Sequence, residues 1–216
     1  MNKYLDVAYG DYKNTDYPIY LVYHLLRKYY NYFTLDIYSL LDVGCGKKEY
    51  TEAFKYFCLD AWGIDRDVDF DFEKDKFKMP DNKFDGIFCK SVIEHIKNTD
   101  FFLSEILRVM KDGAKAVILT PAWEYNYKWF YDDPTHIKPF CRKGLQDAMR
   151  LAGFRNVSVK YFYHLPFTWH YDIMKIIPKM IRLLPDNWRW KNKEETVHNI
   201  LIRFSKEVQL LAVGVK

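Results

Sequence analysis

The residues best placed to do chemistry are carboxylates and glycines at the ends of apolar runs, followed further on by one histidine. Leu40-Leu41-Asp42-Val43 leads into Gly44-Cys45-Gly46, and a second run, Ala61-Trp62-Gly63-Ile64, ends in Asp65. A glycine turn after an apolar strand lets backbone approach a ligand, and an acid at the tip of the next strand accepts hydrogen bonds from ribose hydroxyls. Asp65 stands nineteen positions after Gly46, close to the ~20 that this device uses. The pair reads as a nucleoside site, with Cys45 between the glycines and Arg66 beside the acid as further lining. A dinucleotide fingerprint would need a third glycine where the chain has Glu49, preceded by Lys47-Lys48. That departure counts against a pyrophosphate-bearing cofactor and is tolerable for one without phosphates.

The histidine is His136, in Asp132-Asp133-Pro134-Thr135-His136-Ile137. A neutral imidazole accepts a proton near pH 7, so His136 is a candidate general base, with Asp133 or Asp132 as the acid that orients it. The alternative is a Thr135-His136 pair that caps and packs its loop. His95, after Glu94, reads as structural or cofactor-side. No metal-ligand constellation stands out, and the four cysteines form no CxxC pair.

These residues need a scaffold that brings strand tips to one edge. Residues 18–32 carry Ile19, Leu21, Val22, Leu25 and Leu26 at helical spacing after Pro18, which suits a first turn. Residues 38–43, 61–64, 83–89, 115–120, 157–162 and 208–215 read as strands. Residues 48–58, 100–110 and 143–152 read as helices, with a turn at Asp112-Gly113 and Gly153 closing the last helix. Strands separated by helices predict an α/β fold, a mostly parallel sheet covered on both faces. No linker splits the chain. The expectation is one domain: an N-terminal cap and helix over 1–36, a Rossmann-like core over 37–162, a helical insert or lid over 163–204 and a final strand over 205–216.

A formal net charge of +4, from 33 basic and 29 acidic residues without a Lys/Arg run, argues against a nucleic-acid partner. Scattered thiols, no apolar signal core at the N-terminus and no apolar run of ~18 residues together predict a cytoplasmic protein. Aromatics reach 19%, which reads as compositional bias more than as an aromatic-lined cleft. Residues 172–185 place Ile173, Ile176, Ile177, Met180, Ile181 and Leu184 on one helical stripe, with Lys175, Lys179 and Arg182 on another and tryptophans at 169, 188 and 190. This segment is either a lid packed on the domain or a surface helix that touches an anionic membrane.

The ordered set of motifs resembles the class I S-adenosylmethionine-dependent methyltransferases, in particular the methyltransferase type 11 group. Leu41-Asp42-Val43-Gly44-Cys45-Gly46 is similar to the family's first motif, and Gly63-Ile64-Asp65 to its second. The stretches Met79-Pro80-Asp81-Asn82-Lys83-Phe84-Asp85 and Val92-Ile93-Glu94-His95-Ile96 follow in the family's order. The resemblance covers roughly residues 38–160. It implies a seven-stranded sheet with an antiparallel last strand, S-adenosylmethionine as cofactor and S-adenosylhomocysteine as product. On it, Asp42 meets the ammonium of the methionine part and Asp65 the ribose. Asp71 and Phe72 flank the adenine, with Asp69 or Glu73 as alternatives to Asp71. Lys90 and Ser91 run beneath the methionine. The acceptor it implies is a small-molecule, sugar or lipid-linked glycan hydroxyl. The competing expectations are a nicotinamide oxidoreductase and a non-catalytic cofactor-binding or membrane-docking module. Oligomeric state is not legible.

Overall fold

In a computed structural model, which describes residues 16–30, 39–67, 70–192 and 197–216, six strands form one sheet in the order β2-β1-β3-β4-β6-β5. The strands are β1 (Ser39–Val43), β2 (Asp60–Ile64), β3 (Phe84–Lys90), β4 (Met110–Pro121), β5 (Arg155–Phe162) and β6 (Gln209–Val215). The first four pair in parallel, and β6 runs antiparallel between β4 and β5. The α/β class and the antiparallel last strand are as expected.

The six strands read from apolar runs are the six found, whereas the resemblance implied seven. Between β2 and β3, residues 71–82 form turns. The backbone polar groups there are satisfied by side chains of a neighbouring helix in place of a ladder. Arg108 donates to the carbonyls of Met79 and Phe77, both at 2.9 Å, and the Glu105 carboxylate accepts from the Phe77 N–H at 2.8 Å. Asp112-Gly113 also differs from the expected simple turn. It lies within β4 as an irregularity, with Gly113 at a φ of 78° that favours glycine.

Period-two alternation sends successive strand residues to opposite faces. Leu41, Ile87, Ala116 and Ile118 pack under α3 (Thr99–Val109) and α5 (Arg142–Leu151), joined by Phe102, Ile106, Leu145 and Met149. Leu40, Phe88, Val117 and Leu119 face α1 (Tyr17–Lys28) and α2 (Glu49–Tyr56), joined by Leu21, Leu25 and Phe54. Both faces are therefore covered, as a parallel sheet requires. Tyr30, just past α1, donates its hydroxyl to the Ile87 carbonyl and lies against Gly86, where an added Cβ would meet its ring at 3.0 Å.

A short helix α4 (Trp123–Asn126) follows β4. After β5 the chain makes short turns, then α6 (Ile176–Ile181) and α7 (Ile200–Lys206) before β6. Lys206 is buried and fastens this region: its ammonium donates to the carbonyls of Arg182 and Leu184 and to the Asp186 carboxylate. No described helix is long and apolar enough to cross a membrane. The N-terminal arm over 1–15 and the alternative acid Asp69 lie outside the described residues.

Candidate active site

The carboxyl ends of β1, β2, β3 and β4 point to one edge, where parallel sheets take their ligands. At the β1 end, Gly44 has a φ of 78° and sits so close to the next loop that an added Cβ would come 2.1 Å from Val92 Cγ2. The turn is tied to β2 through backbone. The N–H groups of Gly44 and Cys45 donate to the Ile64 carbonyl at 2.8 and 3.0 Å. Asp65 Oδ2 accepts from the Gly46 N–H at 2.5 Å, and Oδ1 from the Arg66 N–H at 2.7 Å. A carboxylate has about four lone-pair sites, so Asp65 retains acceptor capacity.

Asp42 lies beneath the turn, 2% exposed, and accepts from the Thr51 hydroxyl at 2.7 Å. Burial raises its carboxyl to about 7, the Thr51 hydrogen bond holds it down and the Asp65 charge adds to the rise. Cys45 is buried, and burial pushes its thiol up to about 12, which leaves it unreactive.

Asp71 and Phe72 both have partners within the protein. Phe72 is 3% exposed and packs edge-on to Phe70 and Phe102 in the core. Asp71 accepts from the Glu73 N–H at 3.0 Å and pairs with Arg66 at 3.8 Å and Lys74 at 3.7 Å. Both residues thus have structural employment in the segment that an adenine would border.

At the β3 end, the Lys90 ammonium lies 5.4 Å from the Tyr50 ring centroid, and burial lowers it from the ordinary lysine range. Ser91 follows with a φ of 56° and donates its N–H to the Leu119 carbonyl at 2.9 Å, which bends the chain over the edge. The next turn (Ile93–His95) buries Glu94 completely. One Glu94 oxygen accepts from the Thr120 hydroxyl at 2.9 Å, and the other, Oε1, has no hydrogen-bond partner among the described residues. Burial pushes this carboxyl up to about 7, with the nearby Glu94 backbone N–H, the Thr120 hydroxyl and the Lys90 ammonium opposing the rise.

The loop after β4 closes over Glu94. The N–H groups of Ile137 and Lys138 both donate to the Glu94 carbonyl at 3.0 Å. This places the half-buried His136 beside His95, with ring centroids 4.7 Å apart. His136 Nδ1 lies 2.5 Å from the Phe130 carbonyl oxygen, so in the neutral ring Nδ1 carries the proton and Nε2 the lone pair. Asp133 does not hold Nδ1. It accepts from the Thr135 N–H and hydroxyl at 2.9 and 2.6 Å, and its Oδ2 stands 3.9 Å from His136 Nε2. The orienting group is therefore a carbonyl, and the acid faces the proton-accepting nitrogen. His95 Nδ1 contacts the Thr135 carbonyl and hydroxyl at 3.1 and 2.9 Å, and burial lowers its pKa.

Possible ligand atoms of Glu94, His95 and His136 lie within 4.8 Å of one another, close enough to hold a cation. The sequence reading passed over Glu94 and Thr51. Glu94-His95 was visible as a motif, yet no local spacing says that a loop some forty residues later covers it.

The chain matches the Methyltransferase domain family over residues 21–159. No curated protein matches it in sequence. Among solved structures it is similar to a SAM-dependent methyltransferase from Archaeoglobus fulgidus, at 22% identity and a TM-score of 0.65, covering 99% of this chain and 100% of that one. It is also similar to a structure of the Haloferax volcanii Trm112 methyltransferase activator in complex with a methyltransferase, at 18% identity and a TM-score of 0.65, covering 99% and 94%. A third is Haemonchus contortus phosphoethanolamine N-methyltransferase 2 in complex with S-adenosyl-L-methionine, at 16% identity and a TM-score of 0.57, covering 98% of this chain and 60% of that one.

Proposed function

The chain belongs to the Methyltransferase domain family, and on that premise we propose that it transfers a methyl group from S-adenosylmethionine to a hydroxyl oxygen of a small-molecule or glycan acceptor. The observation that carries the acceptor half is the gathering of ring nitrogens of His95 and His136 and the buried Glu94 carboxylate within 4.8 Å of one another. A nicotinamide reading has no such support.

The residues present fit the cofactor. Asp65 is fastened by the Gly46 and Arg66 N–H groups and would accept from ribose hydroxyls with the lone pairs left on its two oxygens. Asp42 supplies a buried carboxyl for the ammonium of the methionine part, next to Cys45 and Gly46. Lys90 and Ser91 border the methionine end, and Arg66 and Asp71 the adenosine end. Bound S-adenosylmethionine supplies an electrophilic methyl, so the protein's task is positioning and proton removal. Positioning alone supplies about 7–11 kcal/mol.

His136 is set up for proton removal. The Phe130 carbonyl fixes its tautomer, and Nε2 would take the proton of the acceptor hydroxyl. The Asp133 carboxylate near Nε2, together with Glu94, would offset the imidazolium charge that results.

Calorimetry with S-adenosylhomocysteine and with NAD tests the cofactor half: heat with the first and none with the second is expected, and the reverse overturns it. Labelled-methyl transfer to a panel of glycans and small alcohols and amines tests the acceptor half. Transfer confined to amines sinks the hydroxyl reading. Turnover should survive a chelator; loss restored by Mn²⁺ would transfer the role of Glu94, His95 and His136 to cation binding.

A further inference from the structure

The segment 172–185 leaves much of its apolar surface uncovered. Of its apolar residues from 173 to 183, only Pro178 is buried. Ile173, Met180 and Leu183 are 68%, 66% and 86% exposed, and Ile176 and Ile177 are exposed beside them. Ile173, Ile176, Ile177, Met180 and Leu183 thus form an exposed aliphatic ridge along the turn Asp172–Lys175, α6 and the residues just after it, which soluble surfaces rarely carry without a partner. The ridge is held from behind, because Lys206 grips the carbonyls of Arg182 and Leu184 from the protein side.

A cleft of about 550 Å³ opens alongside, between the end of α1, the edge strand β5 and the start of α6. Its charged lining is Lys28, Arg142, Lys160, Lys175 and Lys179 against the single acid Asp172. Asp172 pairs with Lys175 at 2.6 Å. Burial and the neighbouring Lys175 and Lys160 ammonium groups lower Lys28, as expected of cations crowded without enough counter-charge. Tyr29, Tyr161 and Trp169 complete the cleft with rings.

We propose that this face docks on an anionic lipid bilayer: a headgroup phosphate enters the basic cleft while the ridge from Ile173 to Leu183 inserts at the acyl boundary. The charge balance chooses this occupant. An acidic surface meets five cations, and the lysines of 175 and 179 flank the aliphatic stripe as in helices that lie in a membrane interface. The exposed Trp188 nearby has the amphipathic ring suited to that depth. The inference is independent of the acceptor chemistry proposed above.

Co-sedimentation of the full chain with phosphatidylcholine vesicles and with phosphatidylcholine–phosphatidylglycerol vesicles, at low and high salt, tests it. Binding only to the anionic vesicles, weakened by salt, is expected. At roughly 1 kcal/mol per lysine, Lys175→Gln with Lys179→Gln should weaken binding about 30-fold. Met180→Asp should weaken it at least as much with an unchanged thermal midpoint, since the residue is exposed. No binding to anionic vesicles at low salt overturns the proposal. So does equal binding to neutral vesicles, or a concentration-dependent dimer that Met180→Asp abolishes, which would make a second copy the occupant. Heat with inorganic phosphate but no vesicle binding would reduce the cleft to a small-anion site and also overturn it.

Discussion

The two ends of the candidate site are built differently. At the tips of β1 and β2, residues within one βαβ stretch are joined mainly by backbone, with Gly44 and Cys45 donating to Ile64 and Gly46 to Asp65. At the tips of β3 and β4, Glu94 meets a loop from residue 130 onward, and one of its buried carboxylate oxygens has no hydrogen-bond partner among the described residues. The first end is complete in itself, and a cofactor needs only to be received. The second has polar capacity in reserve, which is what a site finished by an acceptor would show, because an unsatisfied buried polar group costs about 1–3 kcal/mol.

The largest effect that would separate the two ends is His136→Ala. Turnover should fall roughly 10²–10⁴-fold while calorimetric affinity for S-adenosylhomocysteine stays unchanged. Equal loss of both would erase the distinction. Asp65→Ala should do the opposite. Removing hydrogen bonds to a charged acceptor costs about 1.5–3 kcal/mol each, so cofactor affinity should drop on the order of 10²–10³-fold by the same calorimetry. An unchanged affinity would dismiss Asp65 as a ribose ligand.

A third effect sharpens how the cofactor end is built. The Asp42 carboxyl is raised from 3.8 to about 7, so between those values the folded state binds more protons than the unfolded one. The stability this group contributes is full below pH ~4 and is lost as pH rises through 7. Asp42→Asn should therefore gain stability over the natural protein as pH rises from 4 to 8, by roughly 4 kcal/mol. Urea midpoints at the two pH values check the sign, and a gain on acidification instead would refute it. The smallest effect is Thr51→Val. Losing its hydrogen bond to Asp42 should cost about 1–2 kcal/mol by urea unfolding and leave His136-dependent steps untouched.

Much of the cofactor end is legible in the sequence because its determinants are local. A glycine that adopts a positive φ, a short, mostly apolar strand and an acid at the next strand tip all fall between Ser39 and Asp65. The six strands were legible for the same reason: apolar runs this short and dense have nowhere to go but a covered sheet. Phe72 shows the limit. Its place after the second strand suggests a ligand contact, yet packing against Phe70 and Phe102 puts it in the core. Residues 172–185 show the same limit, since amphipathic spacing says that one stripe is apolar and not which stripe meets the protein. Pro178 and Lys206 decide that here.

By itself, then, the sequence determined the α/β class, the glycine turn and the acid that faces it, because each depends on residues near in the chain and on backbone preferences. Only the tertiary structure decided that Glu94 is buried with an oxygen in reserve, that Phe130 and not Asp133 orients His136, and that the aliphatic stripe of α6 faces outward. Each of those is a meeting of surfaces, or of side chains with carbonyls, that sequence spacing does not encode. Burial, not spacing, moves the Asp42 and Glu94 carboxyls toward neutrality.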